Sequence, residues 1–422
     1  MGVDRLNIGK NNSDSIIDSY KANGIELIKQ VQETKTPDQS IMLSNTDTNV
    51  SHALQHLLSL QPHVPERLIS TQNFKEMKKI AEYFTGGMTS FFGFESKLGN
   101  LTPESDYMFA ISSKKGERES IKKYLQSKNI PEEFKEKQEW QRVSKLVKCW
   151  GEKESEIYEK ILGIWFEFDV IDSTNETPVP SIFLHTVSIK NKDLQNINWL
   201  TEKTLPALMG QNIPEKLEKN LLNCIKNLPE KASLFNIGIM LSRPTYGIRA
   251  VVKRLRPNKI IPYLEKLGWE DKNDELKNLI NELENEATRL VLSFDILQDG
   301  VGPKIGIECG FYPKKHDEYA PEPRWKNLLE YLVEKGLCLD HKKDALLDFI
   351  SGMQTEISTL TNGNEPLLIS TKIGDAEHKN ALVRQIGHIK IVYYPDRPLE
   401  AKAYYGARLF GIEEQEITRM TQ

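Results

Sequence analysis

Two hydrophobic periods alternate along the chain. Short stretches with apolar side chains at every second position come in pairs. Longer stretches with apolar side chains three and four apart separate the pairs. A period of two marks a strand with one apolar and one polar face, and the longer period marks an amphipathic helix. The clearest pair lies within Leu290 to Lys314. There Leu290, Leu292, Phe294 and Ile296 alternate with Val291, Ser293, Asp295 and Leu297. After a turn placed at Asp299-Gly300 and Gly302-Pro303, Ile305, Ile307, Cys309 and Phe311 alternate with Lys304, Gly306, Glu308, Gly310 and Tyr312.

Four more pairs follow the same pattern: Thr89–Lys97 with Asp106–Ser112, Ile164–Asp172 with Ser181–Ile189, Leu234–Ser242 with Ile248–Leu255, and His388–Tyr394 with Leu399–Gly406. Arg243-Pro244-Thr245 and Pro395-Asp396-Arg397-Pro398 supply two of the turns. Helical patterns occupy about 51–60, 72–84, 115–160, 192–229, 259–288 and 324–353. Gly86-Gly87 reads as a helix stop, and Lys342-Lys343-Asp344 reads as a solvated helix start. A polar loop containing Gly363 and Gly374 follows. Residues 1–50 are expected to form an N-terminal helix (13–33) and a flexible lead-in, 51–413 the folded domain, and 414–422 a tail.

Two helices then two strands, five times over, make an ααββ repeat. Ten consecutive antiparallel strands can close into a barrel, which removes the exposed sheet edges. The expected fold class is therefore α+β, a ten-stranded antiparallel barrel with helices outside. Helices bury apolar stripes, so the apolar strand faces should point outward: Phe92 and Phe94; Ile164, Phe166 and Phe168; Phe235, Ile237 and Ile239; Leu292, Phe294 and Ile296; Ile305, Ile307 and Cys309; Ile389, Ile391 and Tyr393. The polar faces then line a lumen wide enough to hold a ligand.

Composition narrows the setting. The 422 residues are 39% hydrophobic and 27% charged, with a net charge of −4. No global positive charge invites nucleic acid or an anionic membrane. Cys149, Cys224, Cys309 and Cys338 form no CxxC pair, so reduced core thiols are expected. No apolar leader or membrane-length apolar run is present, and a cytoplasmic protein is expected. Positive charge is local to the inward faces, as Arg249, Lys253, Lys304, Lys390 and Lys402. Trp165, Tyr312, Tyr394, Tyr404 and His388 accompany these cations, with the acids Glu95, Glu167, Asp169, Asp295, Glu308 and Glu400. Gly93, Gly238, Gly306 and Gly310 are expected to leave room for a ligand. Taken singly, each charge also fits a solvated cross-strand pair.

This order of elements resembles the aromatic prenyltransferases of the ABBA or PT-barrel type, and in length the indole (dimethylallyltryptophan synthase) branch. The resemblance spans roughly residues 50 to 410. Lys402-Ala-Tyr404 matches the Lys-x-Tyr strand pattern of that family, and His388-Ile-Lys390-Ile-Val392-Tyr-Tyr394 matches it more loosely. It implies that Arg249, Lys253, Lys304, Lys390 and Lys402 hold a prenyl diphosphate. It implies that Trp165, Tyr312, Tyr394, Tyr404 and His388 shield an allyl cation and form the acceptor pocket. It places the base at Glu95. The acceptor would be an aromatic, amine, guanidine or peptide group of natural-product or peptide chemistry. No further cofactor is implied, with Mg²⁺ optional. The lumen departs from the family in its surplus of acids. Asp169 and Asp295 therefore stand as candidate metal ligands, which would suit a different, metal-assisted tailoring enzyme. A non-catalytic binding protein is the third reading.

Overall fold

The computed structural model describes residues 52–84, 88–89, 91–114, 116–128, 130–170, 177–243, 247–270, 274–312, 322–360, 368–373 and 376–412. The expected N-terminal helix, the tail and Gly86-Gly87 lie outside the described residues.

Helices α1 (His52–Leu60) and α2 (Thr71–Glu82) precede β1 (Phe91–Lys97) and β2 (Ser105–Ser112). Next come α3 (Glu117–Leu125), α4 (Glu132–Glu136) and α5 (Gln138–Trp150), then β3 (Ile161–Phe168) and β4 (Ser181–Ile189). After a 3₁₀ turn (Asn191–Asn196) and a π-helical turn (Trp199–Thr204), α6 (Leu205–Met209) and α7 (Glu215–Lys226) lead to β5 (Ser233–Met240) and β6 (Ile248–Lys253). Then α8 (Ile260–Lys266) and α9 (Glu275–Glu286) precede β7 (Arg289–Leu297) and β8 (Gly300–Gly310). Finally α10 (Arg324–Glu334) and α11 (Asp340–Leu360) precede β9 (Leu368–Ile373), β10 (Ala376–Tyr394) and β11 (Arg397–Ile412). The strict two-helix, two-strand unit does not hold throughout. Three helices precede β3, and the last unit has three strands. Residues 368–373, expected in a polar loop, form β9, which pairs with the part of β10 outside the barrel.

Strands β1 to β8, β10 and β11 close a ten-stranded antiparallel barrel in that order, with β11 returning to β1. At the seam Gly93 faces Gly406. A Cβ on Gly406 would collide with the carbonyl oxygen of Phe92, so the closing strands can approach only because the residue is glycine.

The core lies between the barrel's outer face and the helices. The outward residues expected from the alternation are buried, with one exception at Phe235. Helix α5 contributes Trp140, Val143, Leu146, Val147 and Trp150 to this layer. Trp140 stacks on Phe134 at 4.0 Å, and its indole N–H donates to the Pro178 carbonyl at 2.8 Å. Both its apolar body and its polar edge are satisfied, so Trp140→Ala should cost about 3–5 kcal/mol. The exception follows from a register shift between Leu234 and Asn236. An extra residue turns Phe235 off the outer face, against His185 at 5.8 Å and the Lys253 ammonium at 4.6 Å.

Two further expectations change. The β7–β8 turn sits at Gln298-Asp299, and Gly302-Pro303 belong to β8 beside a bulge that interrupts pairing. Lys342 is fully buried rather than solvated. Its ammonium donates to the carbonyls of Lys97 (2.7 Å) and Thr102 (3.0 Å), tying α11 to the β1–β2 hairpin. Burial pushes its pKa down. Trp325 opens α10 and packs edge-on against Phe311 at 4.8 Å.

Candidate functional site in the barrel lumen

The polar strand faces enclose a cavity of about 160 Å³. Alternation along each strand puts every second side chain inside, so the lining follows from register. One wall is acidic: Glu95 from β1, Asp106 from β2, Glu167 from β3 and Asp169 just beyond it. The other wall carries the cations, Arg249 from β6, Lys304 from β8, Lys390 from β10 and Lys402 from β11, with Glu308 of β8 among them. Aromatic rings sit between them. Trp165 meets Phe91 edge-on at 5.0 Å, and His388 stacks on Tyr404 at 4.3 Å.

Most of these charges are paired. Lys402 bonds Glu95 where β11 meets β1. Arg249 binds both oxygens of Asp295, its cross-strand partner on β7. Lys390 lies 3.8 Å from Glu308, its partner on β8. Arg243 grips Asp169 at 2.6 and 3.2 Å. Lys304 is the exception among the lumen cations, with no carboxylate in ion-pair range among the described residues.

Ionisation follows the pairing. Burial works against the Glu95 carboxylate, but Lys402, Tyr404 and Lys390 outweigh it and hold its pKa at about 2. Lys402 is correspondingly raised by Glu95 against the effect of burial. Asp106 rises to about 7 through burial and then the neighbouring Glu95 charge. Its Oδ1 accepts a hydrogen bond from the Val170 amide at 3.0 Å. Glu167 rises to about 8, again through burial and then Glu95. Lys304 falls to about 7 through burial and repulsion from Arg249, Lys402 and Lys390. Burial brings His388 down to about 4, so the ring is neutral at neutral pH.

The structure brings together Glu95, Trp165, Asp169, Arg249, Lys304, Lys390, Lys402, His388 and Tyr404. It sets four other candidates apart. Lys253 lies over Phe235 at the opposite end of β6, away from the cavity lining. Tyr312 falls two residues past the end of β8 and is 55% exposed, because the strand stops at Gly310 before its parity can turn Tyr312 inward. Tyr394 sits at the β10–β11 turn against Arg397 (5.2 Å) and Lys304 (6.0 Å). Asp295 stands behind Arg249 as its partner. Asp169 and Asp295 are each held by their own arginine, and no group of three or more His, Cys, Asp or Glu arranged for a metal occurs among the described residues.

The lumen glycines do not leave the room expected of them. The Phe183 ring fills the space above Gly238, the Lys390 stem lies over Gly306, and the Arg289 guanidinium lies over Gly310. Asp106 and Arg243 were not among the candidates. The inward parity of Asp106 with Met108 and Ala110 on β2 was a signal that could have found it. Arg243 lies in a turn, where alternation gives none. His185, unassigned from sequence, packs edge-on to Phe235 and is pushed down to about 4 by burial.

No family model matches the chain, and no curated protein matches it. Among solved structures, the chain is similar to the apo form of the prenyltransferase PriB, with a TM-score of 0.47 and 9% identity over 84% of this chain and 94% of that one. It is similar to AnaPT from Neosartorya fischeri, with a TM-score of 0.43 and 10% identity over 86% and 94%. It is also similar to 5-dimethylallyl tryptophan synthase from Streptomyces coelicolor, solved with DMASPP and Trp, with a TM-score of 0.42 and 9% identity over 83% and 92%. Likeness at this level carries no function, which rests on the lumen itself.

Proposed function

We propose that the protein is a prenyltransferase that moves a dimethylallyl-type group from a prenyl diphosphate to an aromatic or nitrogen acceptor inside the barrel. The observation that carries this reading is the convergence of Arg249, Lys304, Lys390 and Lys402 on one enclosed cavity that also presents aromatic rings. A diphosphate needs several charge-assisted donors, and these four side chains supply them.

In this reading the allylic C–O bond breaks and its electron pair leaves with the diphosphate. The growing negative charge falls on the fixed cations of the basic wall. The allyl cation is attracted to the faces of Trp165 and Tyr404 and kept from water. The acceptor's carbon or nitrogen then forms the new bond to the allyl carbon and loses a proton to Glu95. Lys402 keeps Glu95 ionised at every ordinary pH. A proton on a ring that has just been alkylated is acidic enough for such a weak base to remove. Asp106, directly across from Glu95 in the β1–β2 pairing, is placed to receive that proton next.

The test is calorimetric titration with dimethylallyl and geranyl diphosphate, with and without Mg²⁺, on the wild type and on Lys390→Ala. Micromolar binding that is lost in the variant supports the reading. An absence of binding under both conditions overturns it.

A further inference from the structure

A second cavity, of about 760 Å³, lies at the other end of the barrel from the strand hairpins. It is formed where β6 ends, β7 begins and β8 ends, and α10 closes one side. Its charge pattern is unlike that of the lumen. Lys231, Arg254, Arg256 and Arg289 all line it, and none has a carboxylate in ion-pair range among the described residues. Arg324 also lines it, bonded to Glu322 and to the Tyr312 carbonyl. Two carboxylates, Glu284 and Glu286, share the lining without pairing to these cations.

In the lumen Arg249, Lys390 and Lys402 are each paired with an acid, whereas Lys231, Arg254, Arg256 and Arg289 have no such partner among the described residues. Like charges held together destabilise a fold unless something compensates them. The backbone itself is spent on the arrangement. Arg254 has φ of 58°, in the left-handed region that a non-glycine residue enters at a cost of about 1 kcal/mol. Arg289 closes the partition with the lumen. It points inward at the start of β7, lies across Gly310 and reaches the carbonyl of Gly387, which lines the lumen cavity. A Cβ at Gly310 would strike this guanidinium. The Nε of Arg289 is buried and has no hydrogen-bond partner among the described residues. Lys253, next to Arg254, is brought down to about 8 by burial and then by the Arg254 charge.

We infer that this outer cavity is a binding site for a phosphate polyanion, separated from the lumen by Arg289. Clustered guanidinium groups favour phosphate because each offers a two-pronged set of donors. The exposed Tyr312 ring at the rim offers a face for the organic part of such a ligand.

The experiment counts inorganic pyrophosphate bound per chain by calorimetry, for wild type and for the double variant Arg254→Glu, Arg256→Glu. Both residues are exposed, so the fold is expected to persist, and circular dichroism checks it. The inference expects one pyrophosphate fewer in the double variant, or a loss of affinity at that site of about tenfold or more. It also expects affinity to fall as salt rises. A fall from two to one keeps both the lumen and the outer site. A fall from one to none keeps the outer site and removes the lumen reading. An unchanged count and affinity, or no binding by the wild type tighter than about 1 mM, overturns the inference.

Discussion

On the β1–β3 wall, Asp106 and Glu167 are raised to about 7 and 8, so at neutral pH Glu167 mostly holds its proton and Asp106 holds one about half the time, while Glu95 stays ionised. On the β6–β11 wall, Lys304 is lowered to about 7, so part of this basic wall has given its proton up. Both effects have burial as their largest cause, acting on groups of opposite sign. Where a close partner is present the charge is kept: Lys402 holds Glu95 ionised, and Asp295 holds Arg249 above its ordinary value against burial. Burial thus works against charge throughout the lumen, in Lys390 as well as in Lys304, and a partner outweighs it for Glu95, Arg249 and Lys402. The unpaired groups are then the ones that a ligand recharges: Lys304 by an anion, Glu167 by a cation.

This contrast breaks or sharpens under substitution. Glu95→Gln removes the proposed base, and kcat should fall about 10³-fold while diphosphate affinity stays within a few fold. Steady-state kinetics beside equilibrium titration separates the two. Survival of most of the turnover would move the base to Asp106. Lys390→Met leaves the half-buried Glu308 without its cation and should cost about 3 kcal/mol in chemical denaturation. Adding Glu308→Gln should recover most of that loss, and a failure to recover would mean that the pair is not the source.

The acidic wall makes a pH prediction. Glu167 has a folded pKa above its unfolded value of 4.5, so its folded form holds a proton that the unfolded chain releases. Stability then falls as pH rises from about 4.5 to about 8, and the loss is complete above 8. In Glu167→Gln that slope should flatten, with the gain seen at pH 9 and little change at pH 4. A Tm profile parallel to that of the wild type would contradict it. The smallest expected effect is Lys304→Gln, with diphosphate affinity lower by about tenfold at pH 6 and less at pH 9, where the lysine is already neutral.

Much of the barrel was legible in the sequence because alternation survives on strands with one apolar face. The outward run Ile164, Phe166, Phe168 and the inward run Lys304, Gly306, Glu308 both follow from period two. What alternation could not show were departures from regular pairing. The bulge that turns Phe235, the end of β8 before Tyr312 and the turn residue Arg243 depend on register and strand length, which a single chain's pattern does not carry. Nor could the pattern show pairing partners. Asp169 and Asp295 read alike as possible metal ligands, and only the folded neighbours show that each holds an arginine. The small lumen residues misled because a glycine makes room for whichever side chain lies nearest, here Phe183, Lys390 and Arg289.

The most direct test of the two-walled lumen is proton uptake when dimethylallyl diphosphate binds at pH 8, from calorimetry in buffers of different ionisation enthalpy. At that pH Lys304, at about 7, is mostly neutral, and a bound anion should restore its proton. Net uptake in the wild type that disappears in Lys304→Gln is the predicted result. Binding without uptake, or uptake unchanged in Lys304→Gln, would contradict the assignment of the anion to the basic wall.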